Sequence, residues 1–451
     1  MAAPRTVYAC QSCGYQSPKW LGRCPECGAW SSLVEERRDE PLARARAVAA
    51  GGARPTPLAA VEEESLARRP SGIAILDRVL GGGVVAGGAV LLAGEPGIGK
   101  STLLLQLADR MAVEGRRVLY VTAEESPRQL RLRAERLGCA ASPLSVLGET
   151  RLEAVLAACD EVQPEVLLVD SIQALSSDEL ESPPGSIGQV RHAANRLVER
   201  AKRGELALFL VGHVTKEGTI AGPKALEHLV DTLLSFEGES ASEYRLLRAT
   251  KNRFGPTGEI AMFEMREAGL VPIADPSGVL LSRRRIDAPG SAVLPSLQGS
   301  RPLLVETQAL VAPSAFSAPR RMAVGLDSNR VILLVAVLER FARLPLADRD
   351  VYLNVVGGVA LREPAADLAL AAALVSATRN ARLPEDAVFF GEIGLLGEVR
   401  PVTQTEARLR ESASHRFRRA FLPRTAGIST RLEIERVEID SIDDLAARLG
   451  G

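Results

Sequence analysis

The sequence predicts an α/β protein whose central domain contains a mainly parallel sheet. Four apolar runs have the composition of buried parallel strands, and they lie at 89–94, 117–122, 165–170 and 206–212. Segments in which apolar residues recur at helical spacing separate these runs, and this alternation is typical of helices covering a parallel sheet. Two further segments, 231–238 and 243–252, are expected to extend the sheet as adjacent antiparallel strands.

The length of 451 residues predicts two or three domains, because one hydrophobic core rarely grows beyond roughly 250–300 residues. The predicted divisions are a cysteine-rich module (1–32), a linker (33–65), the central α/β domain (66–275), a second linker (276–300) and a C-terminal domain (301–451). The first linker is rich in Ala, Arg and Glu, and the second in Pro, Gly and Ser. In the C-terminal domain we expect strands near 351–358 and 387–393 and an Ala-rich helix over 366–378.

Composition indicates a soluble globular protein, since 46% of the residues are hydrophobic and 25% are charged. No run of eighteen apolar residues occurs, so no membrane span is expected. The N-terminus lacks the apolar core of a secretory signal, which predicts a reducing, cytoplasmic location. Cys139 and Cys159 stand alone, and we expect both to be small buried residues.

The charge balance gives no global attraction to nucleic acid. Lys and Arg total 55 and Asp and Glu total 56, which leaves a net charge of −1. Nucleic-acid binding would therefore depend on local basic patches, and charge alone favours a protein that binds none.

Four cysteines near the N-terminus have the spacing of a metal site. Cys10 and Cys13 form one CxxC pair, and Cys24 and Cys27 form the second pair after ten intervening residues. Four thiolates close the tetrahedral shell of Zn²⁺, so the predicted zinc ion is structural and supplies the folding energy of a small module. A redox pair and an iron–sulfur site are the alternatives.

A phosphate-binding loop follows the first predicted strand and opens the next helix. The pattern GxxxxGK[ST] is matched by Gly94, Glu95, Pro96, Gly97, Ile98, Gly99, Lys100 and Ser101, with Thr102 one position further. Backbone N–H groups and the helix N-terminus favour phosphate binding at such a turn. We expect Lys100 to bridge the β- and γ-phosphates of ATP and Ser101 to ligate Mg²⁺.

Three carboxylates end the strands beside this loop. Asp170 closes an apolar strand about seventy residues after the loop, where an acidic residue holds the Mg²⁺ shell, usually through water. Glu124 and Glu125 end another strand, and a carboxylate there can polarise the attacking water. We favour Glu124 as this base over Glu125. The alternative interpretation is a solvated helix start, where acidic residues are common.

His213 ends the fourth strand, where a polar side chain can sense the γ-phosphate, although a purely structural histidine is the rival interpretation. The Gly-rich segment that follows carries Lys216 and Lys224. This segment and the Gly/Pro-rich loop at 176–188 are candidates for binding a phosphate backbone, and plain surface loops are equally consistent with their composition.

Together these residues resemble the RadA/Sms family of bacterial DNA repair proteins. The family combines a four-cysteine finger, a RecA-like ATPase domain, the motif KNRFG and a Lon-protease-like domain, and all occur here in that order. The motif is present at 251–255 without a change. The resemblance implies a homo-oligomeric, hexameric ring that moves along single-stranded DNA and promotes branch migration of recombination intermediates made by the RecA recombinase. It also implies that Lys251 and Arg253 reach a neighbour's γ-phosphate or the DNA.

The C-terminal domain is similar to the proteolytic domain of Lon, which uses a Ser–Lys dyad. Placing 373–376 on the Lon helix puts Ala366 at the nucleophile position. Placing 391–402 on the Lon strand puts Glu406, or a close neighbour, at the lysine position. A methyl group cannot attack a carbonyl, and a carboxylate cannot act as an amine base. We therefore predict a scaffold domain without protease activity.

Three hypotheses follow from the sequence. The first is a DNA-dependent ATPase acting as a ring motor in homologous recombination, without contact to membranes. The second is a regulatory ATPase or autokinase with a RecA-like core that does not act on DNA. The third is an ATP-dependent protease. The KNRFG motif and the zinc module favour the first hypothesis over the other two.

Overall fold

The protein is described here by a computed structural model. It describes residues 5–10, 15–26, 28, 30, 32–38, 68–139, 143–213, 226–238, 243–315, 318–425 and 433–449. The chain divides into two compact units, one dominated by residues before 273 and one by residues from 273 onward. Within the described residues, no helix has the length and apolar character needed to span a membrane.

The N-terminal module is a small antiparallel sheet. Its strands are β1 (Arg5–Cys10), β2 (Gln16–Ser17) and β3 (Leu33–Arg38), in the order β2-β1-β3. β3 lies within the predicted linker 33–65, so the predicted boundary at residue 33 is wrong. All six residues of β3 are paired with β1, and Leu33 is buried. Its charged sequence suggested a linker. An antiparallel strand pairs through its backbone, however, and does not require apolar side chains throughout.

The central domain begins with a short helix, α1 (Ala74–Leu80), between two short strands that pair antiparallel, β4 (Arg68–Arg69) and β5 (Val84–Val85). A nine-stranded sheet follows, formed by β6 (Ala89–Gly94), β7 (Val118–Thr122), β8 (Ser145–Leu147), β9 (Val166–Asp170), β10 (Ala207–His213), β11 (Thr232–Glu237), β12 (Tyr244–Asn252), β13 (Ile260–Arg266) and β14 (Gly269–Pro272). The order is β14-β13-β12-β11-β6-β10-β9-β7-β8. The strands from β11 to β8 in this order are parallel, and β11 pairs antiparallel with β12. The predicted parallel sheet and its antiparallel extension are thus confirmed.

Helices connect these strands. They are α2 (Lys100–Val113), α3 (Pro127–Arg136), α4 (Leu152–Val162) and α5 (Ile187–Arg203), with a 3-10 turn at Ile172–Ala174. Ser126 begins α3 with a capping box to Gln129, and Pro127 occupies the first turn, where its missing N–H costs nothing. Buried residues from the sheet and from α4 and α5 form one apolar core, which includes Cys159. Cys139 is also buried, as predicted.

The C-terminal unit has a four-stranded sheet as its centre. Its elements are α6 (Pro276–Leu281), β15 (Ser291–Gln298), β16 (Arg301–Pro313), β17 (Arg321–Val324), α7 (Ser328–Phe341), β18 (Arg349–Val355), α8 (Asp367–Arg379), β19 (Ala387–Phe389), β20 (Glu392–Ile393), β21 (Val399–Arg400), α9 (Thr405–Ser414), β22 (Arg419–Leu422), β23 (Glu435–Glu438) and α10 (Ile442–Arg448), with 3-10 turns at Val356–Gly358 and Pro364–Ala366. The sheets have the orders β15-β16-β18-β17, β19-β22-β23 and β20-β21. The predicted Ala-rich helix is α8, which is buried along most of its length.

The expected linker at 276–300 is wrong, because α6 and β15 occupy most of it. Asp275 caps α6 through the Gly278 N–H, and Pro276 stands in the first turn. β15 pairs with β16 over all eight of its residues, and most of its side chains are buried. Pro, Gly and Ser suggested a linker, but here Pro276, Ser277 and Gly278 form the first turn of α6, and Gly290 and Gly299 lie in the turns before and after β15.

Candidate active site

The carboxyl ends of four parallel strands bring the predicted site residues to one edge of the central sheet. β6 ends at Gly94 and β10 ends at His213, and these two residues are register partners. β7 ends at Thr122, which pairs with Asp170 at the end of β9. Because neighbouring parallel strands end together, side chains that follow them converge on one crevice.

The phosphate-binding loop connects β6 to α2. Gly97 and Gly99 have φ angles of 78° and 113°, which favour glycine, and a Cβ on Gly99 would lie 2.8 Å from Met265 Cε. Lys100 is buried, and its Nζ donates hydrogen bonds to the Gly94 and Glu95 carbonyl oxygens, both at 2.8 Å. Burial lowers the pKa of Lys100 to about 8, although nearby carboxylates oppose this shift.

The rest of the predicted loop surrounds this lysine. Glu95, Pro96 and Gly97 are exposed, whereas Ile98 is buried. Ser101 and Thr102 lie in the first turn of α2 and are partly exposed. The loop therefore presents backbone N–H groups and a hydroxyl at the start of a helix, an arrangement that suits a polyphosphate.

Asp170 is a buried carboxylate in which, among the described residues, one oxygen is hydrogen-bonded and the other is not. Its Oδ2 accepts a hydrogen bond of 3.0 Å from the Tyr120 hydroxyl. Its Oδ1 is buried and has no hydrogen-bond partner among the described residues. A buried carboxylate oxygen without a donor is costly, and a hydrated cation would satisfy it. Together with Ser101 at the start of α2, this oxygen fits the hard oxygen ligands that Mg²⁺ prefers.

Tyr120 was not foreseen by the sequence analysis. It is fully buried in β7, between apolar neighbours. Burial, followed by the charge of Asp170, holds the pKa of Tyr120 well above its usual range, so the hydroxyl keeps its proton and donates. The one available signal was a hydroxyl-bearing residue inside an otherwise apolar strand.

Glu124 lies beside Asp170 and is held by two partners. The Ser171 hydroxyl donates to Glu124 Oε1, and His213 Nε2 lies 3.0 Å from the same oxygen. The hydrogen bond from His213 is the main cause that lowers the pKa of Glu124 to about 2, against the effect of burial. Ser171, which is completely buried, is a second contact that sequence reasoning missed.

Glu125 has different surroundings from Glu124. Its carboxylate forms an ion pair with Arg133 in α3, and its carbonyl oxygen accepts a 2.6 Å hydrogen bond from the Thr122 hydroxyl. These contacts direct Glu125 toward the helix that follows it.

His213 is the last residue of β10 and lies beside Glu124. Its Nε2 contacts Glu124, while its Nδ1 is buried and has no hydrogen-bond partner among the described residues. Lys216 and Lys224 lie outside the described residues. The loop at 176–188 is described and mostly exposed or half-buried, except Ser177.

Lys251 and Arg253 lie at the other end of the sheet from the phosphate-binding loop. Asn252 pairs with Thr232, and Thr232 pairs with Val90 near the start of β6, whereas the loop follows the end of that strand. Gly94 lies four positions after Val90 along the strand, which corresponds to roughly 13 Å. Neither cation therefore joins the loop of its own chain.

Both cations of this motif have local partners. Lys251 Nζ donates to the carbonyl oxygens of Glu227 at 2.6 Å and Val230 at 2.8 Å. Burial is the main cause that lowers the pKa of Lys251. Arg253 is 55% exposed and forms a 3.0 Å ion pair with the buried Asp231. The arginine is therefore the more accessible of the two to a second molecule.

The rest of the KNRFG motif packs closely against the end of α1 and the glycines that follow it. The Asn252 amide donates to Val79 O at 3.3 Å and its oxygen accepts from Phe254 N at 2.9 Å. A Cβ on Gly255 would lie 2.6 Å from Gly81 Cα, so the two backbones leave no room for a side chain. Asn252 and Gly255 thus have structural reasons for their identity.

The zinc module contains two of the predicted ligands within described residues. Cys10 and Cys24 are buried and belong to one cluster with Leu33. Gly28 has a φ of 75° and donates its N–H to Cys24 O at 2.9 Å, which closes a tight turn after Cys24. Cys13 and Cys27 lie outside the described residues. Two thiols buried together beside a tight turn fit half of a tetrahedral zinc shell.

The cleft beside Ala366 in the C-terminal unit has a volume of about 650 Å³. Among the described residues that line it, none is Ser, Thr, Cys or Lys. Ala366 is buried at the end of a 3-10 turn, and the neighbouring Asp367 is paired with Arg330. Glu406 lies in the first turn of α9 and pairs with Arg410 at 2.7 Å.

Family models match all three parts of the chain. A model described as an AAA domain matches residues 52–219, a rubredoxin metal binding domain matches 8–35, and subunit ChlI of Mg-chelatase matches 335–426. The chain thus combines an N-terminal zinc ribbon, a RecA-like phosphate-loop ATPase domain and a C-terminal domain similar to ChlI and Lon. This agrees with the predicted fold class.

Curated relatives match nearly the full length. The DNA repair protein RadA of Bacillus subtilis is 45% identical over 100% of this chain and 99% of its own length. The DNA repair protein RadA of Pseudomonas aeruginosa is 49% identical over 94% of both chains. A crystal structure of a KaiC-like protein from Pyrococcus horikoshii is 21% identical, with a TM-score of 0.39, over 46% of this chain and 99% of its own. On the strength of the full-length relatives, the chain belongs to the RadA family of DNA repair proteins.

Proposed function

We propose that this protein is a DNA-dependent ATPase of DNA repair and homologous recombination. In this proposal a ring of identical subunits moves along single-stranded DNA and promotes branch migration of intermediates made by the RecA recombinase. The observation that carries the proposal is the separation of two sets of residues. Lys100, Asp170 and Glu124 gather at one edge of the sheet, while Lys251 and Arg253 lie at the other.

The residues of the first edge have complementary roles in ATP hydrolysis. Lys100 exchanges its two carbonyl partners for the β- and γ-phosphates, while the N–H groups of the loop hold the same phosphates. Mg²⁺, held by Ser101 and through water by Asp170, would neutralise phosphate charge. Glu124 stays ionised and orients the attacking water, and Ser171 keeps its carboxylate in place. His213 senses the γ-phosphate through its contact with Glu124.

The residues of the second edge complete the site of a neighbouring subunit. In a head-to-tail interface, the edge of one subunit that carries Lys251 and Arg253 would face the edge of the next subunit that carries Lys100. Repetition of this interface closes a ring. Arg253 is the more exposed cation, and Lys251 lies two residues before it. A cation supplied in trans to a phosphoryl-transfer site raises the rate by on the order of 10³–10⁵ in some systems.

DNA would be gripped by loops that follow the site. The segments after Asp170 and His213 are the candidates, with Lys216 and Lys224 supplying local positive charge. Because the net charge is −1, such a patch is required for DNA binding. Binding of ATP would order these loops, and hydrolysis would release the DNA.

The domain limits proposed for this function are an ATPase domain over 66–275 and a scaffold domain from 276 onward, with α6 and β15 included in the latter. We propose that the scaffold domain has no protease activity, since Ala366 and Glu406 supply neither a nucleophile nor an amine base. Digestion of casein by the purified protein would restore the protease hypothesis.

Substitution of the loop lysine tests the ATPase proposal. Lys100→Ala should abolish ATP hydrolysis without changing the circular dichroism spectrum, because among the described residues the removed ammonium hydrogen-bonds to the loop alone. Unchanged hydrolysis in a folded Lys100→Ala protein would remove the assignment. The regulatory alternative predicts incorporation of phosphate from ATP into the protein itself, which a radiolabelled γ-phosphate would detect.

A further inference from the structure

Tyr120 places a hydroxyl group in the interior of the central sheet. Its side chain is fully buried, and its neighbours Leu119 and Val121 are buried and apolar. A phenylalanine would fill the same space without the cost of burying a hydroxyl group. The hydroxyl donates a 3.0 Å hydrogen bond to Asp170 Oδ2. The bond joins β7 to the neighbouring strand β9, at the edge where β9 ends.

The bond leaves the two oxygens of Asp170 in different situations. Oδ2 is occupied by the Tyr120 hydroxyl, while Oδ1 is buried without a hydrogen-bond partner among the described residues. Lys100 does not take this place, because its ammonium donates to the Gly94 and Glu95 carbonyl oxygens. A carboxylate fixed through one oxygen cannot rotate freely, and its second oxygen is preorganised for another ligand.

We infer that Tyr120 is a positioning residue that orients the Asp170 carboxylate for the hydrated divalent cation of the nucleotide complex. This inference rests on the ATPase function proposed above. Removing the hydroxyl would let the carboxylate rotate, so binding of the cation would have to order it at an entropic cost. The effect should fall on metal affinity and not on the contacts that the phosphate-binding loop makes with the nucleotide.

Tyr120→Phe removes the hydroxyl and preserves the ring. With ADP bound to the full chain, Mn²⁺ titration followed by electron paramagnetic resonance should show affinity weakened by about tenfold or more. Without added divalent cation, the affinity for a fluorescent ADP should stay within about twofold, because the cation that Asp170 would hold is then absent. Hydrolysis should need correspondingly more Mg²⁺ and approach the unsubstituted rate at saturation.

Tyr352→Phe is the matched control. Tyr352 also donates to an aspartate, Asp350 at 3.4 Å, but it lies in β18 of the C-terminal unit. Its Mn²⁺ titration should equal that of the unsubstituted protein. A double-mutant cycle with Asp170→Ala separates positioning from a general loss of packing, because Tyr120→Phe should weaken metal binding no further once the carboxylate is absent.

Two outcomes would overturn the inference. One is equal Mn²⁺ affinity in Tyr120→Phe and the unsubstituted protein, and the other is an undiminished effect of Tyr120→Phe in the Asp170→Ala background. Failure of the proposed function gives a different result, because the unsubstituted protein would then not hydrolyse ATP at any Mg²⁺ concentration.

Discussion

Glu124 and Glu125 are adjacent in sequence, yet their side chains have separate environments. Glu124 shares its Oε1 between Ser171 and His213 beside the phosphate-binding loop, and Glu125 is paired with Arg133. The pKa of Glu124, lowered to about 2, makes its carboxylate a weak proton acceptor, so its expected role is to orient and polarise the attacking water by accepting a hydrogen bond from it. These contacts support Glu124 as the proposed base.

A pair of matched substitutions tests this choice. Glu124→Gln should lower kcat for ATP hydrolysis by about 10²–10⁴-fold, because a neutral amide lacks the negative charge that orients and polarises the attacking water. Nucleotide affinity should change little, since Glu124 is not expected to hold the phosphates. Glu125→Gln should retain most of the activity and serves as the control. Equal losses in the two variants would contradict the assignment.

The site residues that could be predicted from the sequence are those that belong to a local sequence pattern. Lys100 belongs to a contiguous loop motif, and Asp170 ends an apolar strand, so local pattern is enough to predict their positions. Tyr120 and Ser171 are defined by contacts across the sheet, at separations of about fifty residues in each case. Such contacts depend on strand order, which the local sequence does not contain.

At the scale of elements, the N-terminal module extends further than its cysteine spacing indicates. β3 pairs with β1 through residue 38, and Trp20 Nε1 donates to Leu33 O at 3.2 Å. The two tryptophans of the chain, Trp20 and Trp30, both belong to this module. Tryptophan emission therefore reports on the module alone.

Removal of zinc should be visible in that emission. Chelation should lower the fluorescence anisotropy of the tryptophans, because metal binding supplies the folding energy of so small a module. Readdition of Zn²⁺ should restore the anisotropy. Cys10→Ser should show the low anisotropy even without chelator. Cys139→Ser lies in the central domain and serves as the control, and its anisotropy should equal that of the unsubstituted protein. Anisotropy unaffected by chelation would argue against a structural metal.

The strands of the central sheet were predictable because each is a continuous apolar run buried on both faces. α6 and β15 were not, because Pro and Ser in their sequence are equally typical of a linker. These two segments form regular secondary structure through tertiary contacts, such as the pairing of β15 with β16 along the whole length of β15.

At the scale of the whole molecule, the separation of the two edges has a consequence for assembly. If Arg253 acts on a neighbour's nucleotide, no subunit contains a complete site, and Lys100 and Arg253 belong to different halves of each interface. Two inactive variants can then complement one another.

Mixing tests this shared site. Lys100→Ala and Arg253→Ala should each be inactive alone. After dissociation and reassembly at equal amounts, about one interface in four should combine an intact Lys100 with an intact Arg253, because each half is drawn independently. ATP hydrolysis should then return to about a quarter of the unsubstituted rate. A mixture as inactive as its components, with mixed assembly verified by affinity tags, would contradict the shared site.

The most direct test of the proposed function is the rate of ATP hydrolysis with and without single-stranded DNA. The purified full chain should hydrolyse ATP about fivefold faster or more when an unstructured oligonucleotide is added, which is the coupling expected between two linked sites. Lys100→Ala should remain inactive under both conditions. A rate that is the same with and without single-stranded DNA, in protein that is folded and hydrolyses ATP, would contradict a DNA-dependent motor.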